Sequence, residues 1–410
     1  MEQLIERGCG LDVHRDTIVA CVRVPAAKTG RAQHVRTFGT TTVELLTFRD
    51  WLEAHHVTHV AMESTGVYWK PVFHVLEGSV RCLLVNAAHI KQVPGRKTDV
   101  QDCVWIAQLL EHGLLRGSFV PPAPIRDLRD LTRHRRALQQ DRTRTANRVH
   151  KLLQDAGIKL ASVATDIFGA SGRAMLAALV EGTTDPAVLA DLAKGKLRKK
   201  LPALREALTG RFREHHAFLA SQLLAHLDFL DEALTTMTAR IAEVLAPFGD
   251  ELTRLDTIPG VGRHTAEILI AEIGVDMNQF PSDRHLASWA GLCPGSHESA
   301  GKHRSVKTRK GNHWLRSALI EAALAAIYVK DSALGARYRR IMRHRGHKKA
   351  VVAVAHALLR AAYEVLVTRS PYHDPGPDYF DRKHALRVTR RAVQALERQG
   401  YRVTLDRVAA

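Results

Sequence analysis

Cysteine is scarce and scattered: Cys9, Cys21, Cys82, Cys103 and Cys293 form no CxxC pair. That spacing excludes a disulfide framework and a zinc ribbon, and the thiols read as buried side chains in a reducing compartment. No run approaches the roughly 20 consecutive apolar residues that span a bilayer. The opening MEQLIERGCGLDV has neither a basic n-region nor an apolar h-region, so no signal peptide is expected and a cytoplasmic, nucleoid-associated location is. The 23 histidines, including His55, His56 and His59, lack a zinc partner set. Acid is also short, with 42 Asp and Glu against 60 Lys and Arg and a formal charge of +18. A globular chain this basic usually meets a polyanion, of which nucleic acid is the commonest.

The first 115 or so residues alternate strand and helix patterns. Strands are expected at 8–13, 17–24, 34–40, 58–63 and 81–87, and helices at 44–56, 67–77 and 99–112. The order βββ-α-β-α-β-α is that of the ribonuclease H fold, an α/β mixed sheet flanked by helices. From Ile125 the chain becomes helical and basic, with Arg126, Arg129, Arg133, Arg135, Arg136, Arg142, Arg144 and Arg148 in one stretch. Arg133 and Arg136 are expected to meet nucleic acid. Leu223, Leu227, Leu230, Leu234, Met237, Ile241 and Val244 fall at steps of four and three, the seam of a coiled coil or of a long helical hairpin. KGKLRKK (194–200) reads as a solvated loop. Four regions follow: 1–120, an α/β carboxylate domain; 121–250, a basic helical and coiled-coil region; 251–370, a mainly α domain; and 371–410, a basic tail.

Asp12 closes the first strand and Glu63 the fourth, while Asp99 and Asp102 stand three apart at a helix start. Residues at that spacing share a helix face. If the first and fourth strands are neighbours, all four acids converge on one point. Clustered carboxylates repel unless a cation neutralises them, and oxygen donors suit Mg²⁺ or Mn²⁺. The bland alternative is that Asp99 and Asp102 merely complement the helix dipole and Asp12 a turn. Arg96 and Lys97, just before the paired acids, read equally as phosphate contacts or as solvated charges.

LDTIPGVGRHTAEILIAEIG (255–274) reads as a helix-hairpin-helix, in which Gly260 and Gly262 permit the turn and amides at the second helix meet a DNA phosphate. A cluster free of acid follows: Lys302, Arg304, Lys307, Arg309, Lys310 and Arg316. Ser299 precedes it. Read by itself, Ser299 is more often a loop serine than a nucleophile, since the cations are local but no metal ligand is.

GLDVHRD, AMESTGVYW, VNAAHIKQVPGRKTDVQDCVWIAQLLEHGLL, the IPGVG turn and AGLCPGSHESAGKHRSVKTRKGNHWLR, in this order, resemble the IS110 family of insertion-sequence transposases. The likeness covers the first 120 residues and roughly 250–370. It implies a RuvC-like domain whose DEDD catalytic and metal-binding set falls on Asp12, Glu63, Asp99 and Asp102. It also implies a serine nucleophile, assigned to Ser299, that attacks the DNA backbone with help from Mg²⁺ or Mn²⁺ held by the acids. Ala300 departs from the family, which commonly has glycine there, so Ser296 and Ser305 stay open. The resemblance implies further a structured non-coding RNA that pairs with target and donor DNA. It implies a dimer or tetramer in which one subunit's carboxylates complete another's serine domain. The alternatives are a junction nuclease that activates water and a non-catalytic nucleic-acid-binding protein.

Overall fold

The segment GCGLDV alternates small or acidic residues with larger apolar ones, so as a strand it offers one filled face and one open face. In the computed structural model it forms β1 (Gly8–Val13), at the centre of a five-stranded sheet. The other strands are β2 (Thr17–Pro25), β3 (Arg31–Gly39), β4 (His59–Glu63) and β5 (Arg81–Val85). Residues 4–27, 30–64, 66–86, 99–295, 298–299, 302–303, 307–308, 310–383 and 385–405 are described. The chain divides into two units, Met1–Val120 and Pro121–Ala410.

The sheet order is β3-β2-β1-β4-β5. β1 and β3 run antiparallel to β2, whereas β4 runs parallel to both β1 and β5. This mixed sheet with its flanking helices is consistent with the expected ribonuclease H arrangement. One face carries Leu11, Val13, Ile18, Val60 and Met62 against α1 (Thr42–Ala54) and α2 (Trp69–Leu76). On α1, Leu45, Phe48 and Leu52 recur at helical spacing and are fully buried, each side chain contributing about 1.5–3 kcal/mol. The opposite face carries Val19, Cys21, Ala61 and Val85 against α3 (Asp99–Glu111). Gly10 admits that helix: a Cβ there would lie 2.3 Å from both the Ala107 nitrogen and the Cys103 oxygen. Backbone therefore rests on backbone where α3 crosses β1.

In the second unit, α4 (Ala123–Asp155) and α8 (Glu214–Leu245) form a long hairpin. Arg142 pairs with Asp231, and further along Asp155 pairs with His216, so the two helices run antiparallel. The seam expected on α8 is used within the chain, with Leu227, Leu230 and Ile241 buried. Smaller helices α5 (Ala170–Val180), α6 (Pro186–Asp191) and α7 (Leu201–Leu208) pack at one end around Met175, Leu189 and Leu204. KGKLRKK is ordered as a 3₁₀ turn, Gly195–Lys200, running straight into α7. Then come α9 (Gly249–Asp256), α10 (Arg263–Ile273), α11 (Asp283–Trp289), α12 (His313–Ala326), α13 (Ala333–Arg345) and α14 (His347–Thr368). A two-stranded ribbon, β6 (Glu298–Ser299) and β7 (Lys302–His303), interrupts the run, and α15 (Tyr379–Lys383) and α16 (Ala385–Glu397) end it. Against the sequence expectation, α14 is long and apolar enough to cross a membrane; half of its apolar window is buried in this unit, as in a core helix.

Candidate active site

Strand parity and register position the acids. Along β1, Gly8, Gly10 and Asp12 share the face that α3 covers, and along β4 Ala61 and Glu63 do the same. Leu11 is the register partner of Met62 on the parallel strand, which brings the next residues, Asp12 and Glu63, side by side at the strand ends. The Asp12 side chain is 17% exposed and its Oδ2 lies 3.1 Å from His14 Nε2. Asp102 is half-buried and immediately precedes Cys103, whose carbonyl faces Gly10. The Cys103 thiol is pushed well above its usual range, chiefly by its hydrogen bond with Cys21 and by burial, with the Asp12 carboxylate adding to the shift. Asp99 is the first residue of α3; its side chain, like Arg96 and Lys97 entirely, lies outside the described residues.

Asp12 and Glu63 therefore share one sheet edge and one face, Asp102 lies in the first turn of the helix that covers that face, and their all-oxygen chemistry fits a hard divalent cation. Among the described residues, only Asp155, His215 and His216 bring three ligand atoms within 4.8 Å of one another. That second cluster is a poor metal site. His216 Nδ1 accepts the backbone N–H of Arg213 at 3.1 Å, which leaves Nε2 to carry the proton and donate to Asp155 Oδ2 at 2.9 Å. One ring nitrogen thus caps α8 and the other is bonded to Asp155 of α4.

Ser299 lies on β6 opposite Lys302, in an excursion of the chain between α11 and α12. Its neck is tight. Pro294 bridges Thr308, the Gly295 amide donates to the Lys307 carbonyl at 3.3 Å, and a Cβ on Gly311 would lie 2.4 Å from the Gly291 nitrogen. Lys307 and Lys310 are exposed. Ser296, Arg304, Ser305 and Arg309 lie outside the described residues, as do the side chains of Ser299 and Lys302.

The arginines of α4 are placed differently from the sequence expectation. Arg133 makes a two-pronged pair with Glu272 of α10, at 2.8 Å to each oxygen, and Arg136 pairs with Glu321 of α12. Each is thus paired with a carboxylate of the same unit, Arg133 with the buried Glu272 and Arg136 with the exposed Glu321. Arg129 also reaches Glu272, at 3.3 Å, and Arg135 pairs with Glu267 at 2.7 Å with both side chains 4% exposed. Burial lowers the Arg129 guanidinium to about 10 even though Glu272 holds its charge. Glu272 further accepts from Asn312 Nδ2 at 2.6 Å, and Asn312 caps α12 just beyond the neck of the excursion. Sequence reading missed Glu267, Glu272 and Asn312; acids on the apolar stretch AEILIAEIG were the available signal.

The two glycines of the α9–α10 turn also part company. Gly260 has φ 82°, and a Cβ there would lie 2.4 Å from the Ala322 carbonyl. Its Cα is packed against α12. Gly262 is exposed, opens α10 without a side-chain cap and has open space around it.

The first unit and the helical unit each match a transposase. A family sequence model described as Transposase, of the DEDD IS110 type, matches residues 9–158, and one described as Transposase IS116/IS110/IS902 family matches 252–339. The chain is thus a transposase, of a class that cleaves and rejoins DNA. The two matches together take in more than half of it, and it belongs to the IS110 family. It is 29% identical over 326 residues to the "Probable family 20 transposase" of Pseudomonas aeruginosa, covering 77% of this chain and 86% of that protein. It is 26% identical to the transposase for insertion sequence element IS1111A of Coxiella burnetii, over 76% of this chain and 79% of that one. The "Pilin gene-inverting protein" of Moraxella lacunata is 25% identical, over 88% of this chain and 96% of its own length.

Proposed function

We propose that this transposase moves an insertion-sequence element by cutting and rejoining DNA through a covalent bond to Ser299, with a structured RNA choosing the sites. The observation that carries the phosphoryl-transfer reading is the β1–β4 register, which sets Asp12 beside Glu63 on the face where α3 brings Asp102. With Asp99 these form the DEDD set, and they are the residues that would hold Mg²⁺ or Mn²⁺. A bound divalent ion supplies Lewis-acid stabilisation of negative charge on phosphodiester oxygens.

The chain's own residues perform the transfer. Ser299 Oγ forms a bond to phosphorus, the bond from phosphorus to the departing sugar oxygen breaks, and the serine proton ends on that oxygen. The phosphoserine retains the ester, so a hydroxyl of the exchanging strand reverses the step without external energy. Lys302, Arg304, Lys307, Arg309 and Lys310 follow Ser299 closely in the sequence and offset the charge that develops on the phosphoryl oxygens. Gly262 at the start of α10 makes the helix-hairpin-helix contact to a phosphate, and Arg96 and Lys97 make others beside the acids. A dimer or tetramer joins one subunit's carboxylates to another's serine.

The test is a covalent trap. Protein, Mg²⁺, the element's RNA and labelled junction DNA are combined, denatured and resolved for protein-linked DNA. A linked band that survives Ser296→Ala and Ser305→Ala but is lost in Ser299→Ala and Asp102→Asn is expected. Cleaved DNA with no protein attached, undiminished in Ser299→Ala, overturns the serine step and leaves water as the nucleophile.

A further inference from the structure

The cations of the second unit fall into two populations. On α4, Arg129, Arg133 and Arg135 are matched by the buried carboxylates Glu272 and Glu267, and Arg136 by the exposed Glu321. A second group is not. An open groove of about 1040 Å³ between α12, α13 and α14 is lined by Lys307, Arg316, Arg337, Arg345, Lys348 and Lys349, with no carboxylate on its wall. Among the described residues none of these six enters an ion pair. Arg337 is half-buried, and its Nε is buried without a hydrogen-bond partner. Burial and the neighbouring Arg360 and Arg340 hold its guanidinium below the usual value, and burial with Arg337 and Arg360 does the same to the His356 imidazole on the groove wall.

The local sequence explains this charge but not its use. RHRGHKK (343–349) forms the corner between α13 and α14, turning at Gly346 with φ 77°. Arg345 at the end of α13 complements that helix's dipole. Lys348 and Lys349 in the first turn of α14 oppose the dipole of theirs. No acidic residue in that turn offsets them. Cations held against a helix dipole and against one another, with no internal partner, fit an external polyanion. The wall is also partly apolar, through Leu292, Ile341 and Val352, which suits the sugar edges between phosphates. Pro294, Lys307 and Thr308 are at once groove wall and the neck that clamps the Ser299 excursion.

We propose that this groove seats the sugar–phosphate backbone of the DNA strand attacked by Ser299, with Arg345, Lys348 and Lys349 as its phosphate contacts. The choice of strand rests on the serine reading above; the groove's affinity for DNA backbone does not.

The experiment measures binding of the full-length protein to fluorescent junction duplex across a salt series. Each phosphate contact contributes about 0.9 to the slope of log Kobs against log salt, so Arg345→Gln/Lys348→Gln/Lys349→Gln is expected to make the slope shallower by about 2.7. All three side chains are exposed, so the fold is left intact. Lys196→Gln/Lys199→Gln/Lys200→Gln removes the same charge at the distant 3₁₀ turn and is expected to keep the wild-type slope, as is Lys348→Arg/Lys349→Arg. An unchanged slope in the groove variant, or an equal drop in both triple variants, overturns the proposal. So does a groove variant that loses an RNA of the same length while keeping DNA. Ser299→Ala keeps the full slope. A wild type that forms no covalent adduct therefore sinks the serine step, while the slope still reports on the groove.

Discussion

Glu272 is the residue on which the helical unit is most exposed to a single change. It is 1% accessible, receives Arg133 through two bonds and Asn312 through another, and forms an ion pair with Arg129 at 3.3 Å. Removing one partner of a buried pair costs about 3–5 kcal/mol, because the stranded charge cannot be rehydrated. Arg129 is 15% exposed and Arg133 33% exposed. The outer guanidinium regains part of its hydration, so the lower end, about 3 kcal/mol, applies to Glu272→Ala. At roughly 2 °C per kcal/mol for a unit of this size, the melting point falls by about 6 °C. Glu243→Ala removes a carboxylate from a pair in which both side chains are over 60% exposed, and its expected effect is within about 0.5 kcal/mol. Replacing Arg129, Arg133 and Glu272 together with methionine recovers most of the loss, since apolar side chains of similar volume leave no charge buried. Thermal and urea unfolding followed by circular dichroism measure all three. A Glu272→Ala protein within about 1 kcal/mol of wild type refutes the reasoning, because the arginines would then be hydrated already. Through Asn312 the same substitution loosens the neck of the Ser299 excursion, so it also lowers the yield of covalent adduct.

Gly10→Ala is expected to destabilise the first unit by about 1–3 kcal/mol, since the added methyl meets α3 backbone; unchanged unfolding would show that α3 can move aside. Mg²⁺ is expected to raise the melting point of wild type in proportion to ln(1 + [Mg²⁺]/Kd) and to do so much less in Asp12→Asn or Glu63→Gln. Equal Mg²⁺ responses in all three would remove those acids from the metal site. His264 and His356 both have imidazoles pushed down, first by burial and then by arginines. Their folded pKa lies below the unfolded value, so the unfolded state binds more protons, and stability present above about pH 6.5 is lost as pH falls through the folded values. Unfolding midpoints measured between pH 7.5 and 5 are expected to fall less in His264→Gln/His356→Gln than in wild type; equal losses would assign the acid sensitivity elsewhere.

Much of the first unit was legible from local pattern. The alternation in GCGLDV and HVAME, with breaks after each, specifies short strands and the faces of their side chains whatever surrounds them. Asp12 and Glu63 stand out because acids on such strands need a reason to be there, and their strand-end positions are already in the one-dimensional order. The heptad steps of α8 likewise announced a long helix with one apolar seam. That the seam closes on α4 of the same chain was not legible, because a heptad pattern is blind to its partner.

The charges show where sequence stops. In the linear chain Arg133, Arg136, Lys348 and Lys349 are equivalent basic residues on helices. Only the fold brings Glu272 and Glu321 to the first two, across separations of 139 and 185 residues, and brings no acid to the groove that holds the others. Gly260 and Gly262 read alike as turn glycines, yet one is pressed on the Ala322 carbonyl and the other is open to solvent. Backbone conformation and face are local properties of a sequence. Which charge meets which, and which backbone must touch, depends on packing between elements far apart in the chain, and the tertiary structure alone decides it.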